Sequence, residues 1–234
     1  MEIKKMIFLI SIFSLLVSNE KNSYRIHYLG MHVADCIIEY SDTTLILENS
    51  EFEAVNIEVD VSTTGVIDKI FQVNNDYKLI IDKKNGNLID YTKNSYQPNV
   101  TNYIKTSNFK ETSKGNYILY EDNDHYTESH KTIFSIFYLL THNKDSISFN
   151  NNFILEREAK LYTANIQNKI KNKFIINIKE KNSDIGVVKH TDIFSWAIFM
   201  EDGEKTIYLN DKENRIEKCI FKKGWISLTA EYYE

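Results

Sequence analysis

The densest run of side chains able to do chemistry is EDNDHYTESH, residues 121–130. Asp122, Asp124 and Glu128 offer hard oxygen ligands of the kind calcium takes. His125 and His130 offer imidazoles for a transition metal. The run lacks the glycine and the terminal glutamate of an EF-hand loop, and a five-residue step does not put two histidines on one helical face. It reads as a solvated loop, and no metal is expected. His27 and His32 flank Gly30 and read as ordinary surface or half-buried histidines, while His142 and His190 stand alone in sequence. A cysteine nucleophile needs exposure and a neighbouring base, but Cys36 and Cys219 both sit inside apolar strand patterns. Glu156 and Glu158 alternate with Arg157 as on the charged face of a sheet. Asp202, Glu204, Asp211 and Glu213 read as charges at hairpin ends. GxSxG, Walker A, GxGxxG and HExxH patterns are all missing from the sequence. No catalytic residue and no cofactor are expected, and no ligand-binding residue can be named from sequence.

The elements that would position such groups are mostly strands. In residues 23–29, Tyr24, Ile26 and Tyr28 share one face and Arg25 and His27 the other. Beyond Gly30, Ala34, Cys36, Ile38 and Tyr40 face away from Asp35 and Glu39. Period-two alternation means half-buried strand, with Gly30 as a turn or as a bulge in one long strand. Residues 44–48, 52–61, 77–82, 88–92, 117–120, 153–162, 174–179, 196–200, 206–210, 215–221 and 225–232 continue the pattern, a dozen or so strands. Asn85-Gly86 predicts a type I′ hairpin, Asp202-Gly203 and Lys223-Gly224 two more. Residues 67–73 fit a strand or a short helix. Residues 132–141, TIFSIFYLLT, carry apolar residues at steps of three and four. They predict a short apolar helix capped by Ser129 or Thr132, plugging or flanking the sheet, with a buried strand as the alternative. The fold class expected is all-β: a curved antiparallel sheet or open β-barrel-like domain with one short apolar helix.

The 234 residues carry a net charge of −5 with both signs mixed, which argues against a nucleic-acid partner. Lys4 and Lys5 precede an apolar run from Met6 to Val17, a basic n-region and an h-region of signal-peptide length. The expected organisation is a signal peptide over 1–18 and a single antiparallel β domain over 23–234. No later run reaches the roughly 20 apolar residues of a membrane-spanning helix. The mature chain is therefore expected to be exported, periplasmic or extracellular, without a transmembrane segment. Export permits a disulfide between Cys36 and Cys219, which would require the two ends of the chain to lie close. The alternative is two buried free thiols.

Four segments together resemble the bacterial exported proteins of domain-of-unknown-function family 3108. They are the opening strand Tyr24-Arg-Ile-His-Tyr-Leu-Gly30 with the alternation that follows it, Ile70 through Asp82, the apolar run Ile133 through Leu140, and Ile207 through Ile216 followed by Gly224. Thr141 stands where that family tends to have arginine, and Glu217 where proline is common, as in a distant member. The resemblance implies an extracytoplasmic, mostly antiparallel, barrel-like protein. It implies no catalytic residues.

A curved sheet rich in Tyr and Phe can enclose more space than its side chains fill. The function expected is therefore a noncatalytic, exported β protein of the cell envelope that binds an apolar or amphipathic ligand such as a lipid. The alternatives are a structural or protein-interaction module of the envelope, with an envelope protein as partner, and an enzyme with an unrecognised site.

Overall fold

The computed structural model describes residues 19–47, 50–98, 100–111, 115–120, 123–126, 129–147, 149–157, 160–181, 192–210 and 212–234. The signal-peptide reading of 1–18 lies outside them. Among the described residues, fourteen antiparallel strands form one sheet in the order β8-β7-β6-β5-β4-β3-β2-β1-β14-β13-β12-β11-β10-β9. The first and last described strands lie in mid-sheet. β1 (Asn19–Tyr28) pairs with β14 (Ile226–Tyr232), placing Tyr24 opposite Tyr232 and Ile26 opposite Ala230. From there the strands run outward both ways: β2 (Met31–Leu47), β3 (Ser50–Thr63), β4 (Asn74–Asp82) and β5 (Leu88–Gln97) on one side, and β13 (Arg215–Lys223), β12 (Glu204–Asn210), β11 (Lys173–Glu180), β10 (Lys160–Ile170) and β9 (Asn152–Arg157) on the other. β6 (Val100–Glu111), β7 (Gly115–Tyr120) and β8 (Asn123–Tyr126) extend the sheet beyond β5.

Two residues draw the wall together. The Leu88 N–H of β5 donates to the His130 carbonyl at 2.8 Å. On the next residue, the Lys131 N–H donates to Ile154 of β9 (2.9 Å), and the Glu156 N–H donates back to the Lys131 carbonyl (2.7 Å). His130 is therefore buried at the seam, where a solvated loop was expected, because its backbone stands in for a missing strand.

Helix α1 (Gly65–Ile70) settles the 67–73 ambiguity in favour of a short helix. Helix α2 (Ile133–His142) is the expected apolar plug. A capping box starts it: the Ser135 N–H donates to Thr132 Oγ1 (3.1 Å), and the Thr132 N–H donates to Ser135 Oγ (3.2 Å). Ile136, Leu139 and Leu140 are fully buried, and each such side chain contributes about 1.5–3 kcal/mol relative to exposure. Helix α3 (Ile193–Phe199) covers all but the last residue of the strand expected at 196–200, so Asp202-Gly203 joins a helix to β12 and is not a hairpin turn.

Of the two alternatives at Gly30, a turn or a bulge, the structure has the turn. Tyr28 pairs with Met31, and Leu29 (φ 49°) and Gly30 (φ 84°) both adopt positive φ, as a two-residue type I′ turn demands. The type I′ turn expected at Asn85-Gly86 is a longer loop with positive φ only at Gly86. The reason is Asp82, whose carboxylate accepts the N–H groups of Lys84 and Asn85 and organises the loop itself. Residues 153–162 are two strands, β9 and β10, paired with each other.

Candidate functional site

Inward-facing residues of the strands around β1 and β14 line an apolar, partly open cavity of about 90 Å³. Tyr24 and Ile26 of β1 and Cys36 and Ile38 of β2 form one wall. Ile216, Cys219 and Phe221 of β13 with Leu228 and Ala230 of β14 form the other. Phe134 and Phe137 of α2 face it from the plug, and α3 covers it with Phe194, Ala197, Ile198 and Phe199. This is strand parity at work: one face of each strand supplies the lining.

Both thiols line this cavity and both are free, Cys219 buried and Cys36 half-buried. Although the terminal strands pair, each cysteine lies one strand further out. β1 and β14 stand between β2 and β13, so three strand spacings, about 14 Å along the sheet, separate residues whose Cα atoms a disulfide needs within about 7 Å. Burial pushes the Cys36 thiol up to about 12, helped by Asp60 and Asp35, and burial raises Cys219 as well. Neither is a thiolate, so neither acts as a nucleophile near neutral pH.

What holds α3 over the cavity is a buried charge network. Lys93 of β5 and Asp192, the residue before α3, are both 0% exposed, with Nζ and Oδ2 2.6 Å apart. Asp192 Oδ1 accepts the N–H groups of Phe194 (2.9 Å) and Ser195 (2.8 Å), capping the helix, and the Tyr77 hydroxyl (2.9 Å). Burial pushes the Asp192 carboxyl up, but the Lys93 charge and the hydrogen bonds from Lys93 and Ser195 outweigh it, so it lies below the usual range. The segment between β11 and β12 is thereby tied to β4 and β5 on the far side of the barrel.

On the outer side of α3 lies a cleft of about 490 Å³, walled by Trp196 and Trp225 and edged by Arg157, Glu201 and Lys223. Phe199 lines both the cleft and the inner cavity. The Arg157 guanidinium sits 5.4 Å from the centre of the Phe199 ring. Trp196 is 41% and Trp225 74% exposed. The same end of the barrel carries exposed Leu29 and Met31 in the β1–β2 hairpin and Val66 and Ile70 in α1. Hydrogen bonds from Leu29 N–H to the Ser227 carbonyl and from Thr64 N–H to the Val33 carbonyl hold these connections side by side.

The opposite end holds a polar pocket. His142 Nε2 lies 2.8 Å from Glu20 Oε2, and its ring stacks on Tyr138 and meets Tyr40 edge-on. The hydrogen bond from His142 holds the Glu20 carboxyl below its usual range despite partial burial. Lys83 pairs with Asp42 beside it. His142 Nδ1 is engaged by Thr141 Oγ1 and the Tyr138 carbonyl. With both ring nitrogens occupied inside the fold, this is a structural histidine.

The residues singled out in sequence are scattered. His27 and His32 lie with ring centres 5.6 Å apart on the outside of the hairpin, His32 bonded to Asp35. Asp122, Glu128, Glu158, His190 and Asp211 lie outside the described residues, as do the side chains of Asp124 and His125. Glu156 is 2% exposed rather than on a charged outer face, because β9 turns inward at the seam. Glu213 pairs with Arg215 at a hairpin end. Among the described residues no group of three or more His, Cys, Asp or Glu is placed to hold a metal, and no helix is long and apolar enough to cross a membrane. Lys93, Asp192, Arg157, Trp196 and Trp225 went unnoticed in sequence as site residues.

No family model matches the chain. No curated protein matches it. Among solved structures it is similar to the crystal structure of a β-barrel-like protein of domain of unknown function DUF1849 from Brucella abortus. The fold is that of a β-barrel-like domain. The two share 8% identity over 94% of this chain and 97% of the other, with a TM-score of 0.53, a likeness of fold alone. It agrees with the curved antiparallel architecture expected from the alternation.

Proposed function

We propose that this β-barrel-like domain is a noncatalytic, exported protein of the cell envelope that binds an apolar or amphipathic ligand such as a lipid, and that it is a distant relative of domain-of-unknown-function family 3108. The observation that carries the reading is the apolar cavity between the barrel wall, α2 and α3. At about 90 Å³ it has the liquid volume of about three water molecules. A cavity lined this way stays dry, and it takes the end of a chain rather than a whole lipid. Burying about three methylenes there contributes about 2.4 kcal/mol at about 0.8 kcal/mol each. Lys4, Lys5 and the apolar run behind them support export.

Native mass spectrometry of the mature protein, gently purified from its own source, tests the reading. A reproducible extra mass that extracts as lipid supports it. A bare protein mass, repeated without detergent, counts against it.

A second reading, a protein-interaction module of the envelope, is favoured by the exposed apolar rim of Leu29, Met31, Val66, Ile70 and Trp225. Crosslinking through that rim to a single envelope protein, with no lipid mass, would select it.

A further inference from the structure

We infer that α3 is a displaceable lid on the apolar cavity, and that a ligand longer than the seated cavity enters when α3 lifts off. The inference rests on the apolar-ligand reading and deepens it, by naming what opens that site and which contacts set the cost of opening.

The barrel wall is split where α3 ends. Among the described residues β11 pairs with β12 only through Lys173, Phe174 and Ile175, whereas Ile176 to Glu180 continue along β10 without a partner on the β12 side. Helix α3 runs from the opposite wall to this split. Its start is held at β5, where Lys93 pairs with Asp192 and the Ile193 N–H donates to Gln97 Oε1 (3.2 Å). Its end lies at the split. There Phe199 packs on Tyr162 of β10 with ring centres 4.8 Å apart, and the Lys205 ammonium of β12 donates to the carbonyls of Met200 (2.6 Å) and Gly203 (3.0 Å).

These ties are made by side chains. Among the described residues no main-chain hydrogen bond joins α3 to a strand, and no strand runs close beside its backbone. A strand leaves the wall only by breaking a ladder of main-chain bonds, but α3 can leave by breaking contacts at its two ends. Segments held in this way open locally, at a free energy below that of global unfolding.

The space beneath gives the opening a use. Helix α3 supplies Phe194, Ala197, Ile198 and Phe199 to the cavity lining. With the helix seated, the cavity takes only the end of a chain. With it lifted, those side chains leave and the space joins the outer cleft, which Phe199 also lines. A chain too long for the seated cavity then has room along β1, β2, β13 and β14. Its apparent affinity is the intrinsic affinity scaled by the fraction of molecules that are open. An atom small enough for the seated cavity needs no opening.

The experiment compares those two kinds of probe on the full mature protein. A Trp225→Phe background leaves Trp196, which rides on α3, as the sole tryptophan, so emission follows the lid. Octanol is the long probe, followed by stopped-flow emission and calorimetry. Xenon is the small probe, followed by its own NMR shift. In Lys93→Met octanol is expected to bind at least about 10-fold more tightly, with its limiting rate at high concentration raised by a similar factor, because the open fraction grows. Xenon affinity is expected to stay within about twofold, since the seated cavity is unchanged. Gln97→Ala, a milder variant should Lys93→Met fail to fold, removes one hydrogen bond to α3 and is expected to tighten octanol by about threefold.

Octanol affinity that is unchanged or weaker in both variants overturns the lid and leaves α3 a fixed wall over a standing apolar site. Xenon affinity that moves in step with octanol also overturns the lid, because the seated cavity itself has then changed. Failure of both probes to bind the wild type and the variants overturns the lid and the apolar-ligand reading together.

Discussion

Replacing Lys93 by methionine is expected to destabilise the protein by about 3 kcal/mol at pH 7. Removing one partner of a buried ion pair costs about 3–5 kcal/mol, because the other charge stays buried without compensation. The low end applies here, since Asp192 keeps three donors, the Tyr77 hydroxyl and the N–H groups of Phe194 and Ser195. At about 2–4 °C per kcal/mol for a chain of this size, the melting temperature falls by about 6–12 °C.

The pH dependence makes the test specific. In the wild type the Asp192 carboxyl lies below its unfolded value near 3.8. A depressed folded pKa gives stability that is present above the unfolded pKa and lost as pH falls through the folded one. Without Lys93, burial dominates and raises the same carboxyl. The variant then recovers stability as pH falls and Asp192 takes up a proton, and the deficit against wild type narrows between pH 7 and pH 4. Urea unfolding at pH 7, 5.5 and 4 measures this. The double substitution Lys93→Met with Asp192→Asn removes both charges and keeps a capping oxygen, so it is expected to regain most of the loss. A deficit under about 1 kcal/mol at pH 7, or one that does not change with pH, would refute the assignment of this pair as the latch of α3.

Three further perturbations test other parts of the fold. Gly86→Ala places a Cβ 2.7 Å from Leu139 Cδ1 at a φ of +71°, and left-handed strain plus overpacking predict a loss of about 3 kcal/mol by thermal melting; a loss below about 1 kcal/mol would mean that the hairpin does not press on the plug. Leu29→Asn exchanges a branched residue at φ 49° for one that tolerates it, in a turn that favours Asn-Gly, and is expected to raise the urea midpoint by an amount equivalent to about 1 kcal/mol. Asp60, opposite Asp76 on neighbouring strands, is raised to about 6 by partial burial, then by the hydrogen bond and charge of Asp76. A raised carboxyl gives stability that is present below its unfolded pKa and lost as pH rises through about 6, so Asp60→Asn should stabilise at pH 8 and not at pH 4, and equal effects at both would sink the pairing.

Alternation made the barrel wall legible, because a half-buried strand writes its parity into the sequence. The plug was legible for a similar reason, and the Thr132–Ser135 capping box resolves the choice that an apolar run alone leaves open. Helix α3 was not. Ile193 to Phe199 is too short and too evenly apolar to show a period, and its helicity depends on Asp192, whose ion-pair partner lies 99 residues away in sequence. One trace of that partner was visible. Lys93 shares strand parity with Tyr91 and Ser95, and all three are buried. A lysine on the inward phase of an otherwise ordinary strand signals a buried anion elsewhere.

The cleft left a fainter trace. Trp225 follows Gly224 in the β13–β14 turn, where no neighbouring strand covers a side chain, and it is 74% exposed. Arg157 stood in a charged triplet read as the plain charged face of a sheet, whereas Glu156 is 2% exposed and the Arg157 guanidinium lies 5.4 Å from the centre of the Phe199 ring. Arg157, Trp196, Lys223 and Trp225 come from β9, α3 and the β13–β14 hairpin. The α3 contribution, Trp196, is held there by the Lys93–Asp192 pair at the start of the helix. Loss of the latch should therefore reach the cleft, and Lys93→Met is expected to red-shift tryptophan emission at urea concentrations below the main unfolding transition.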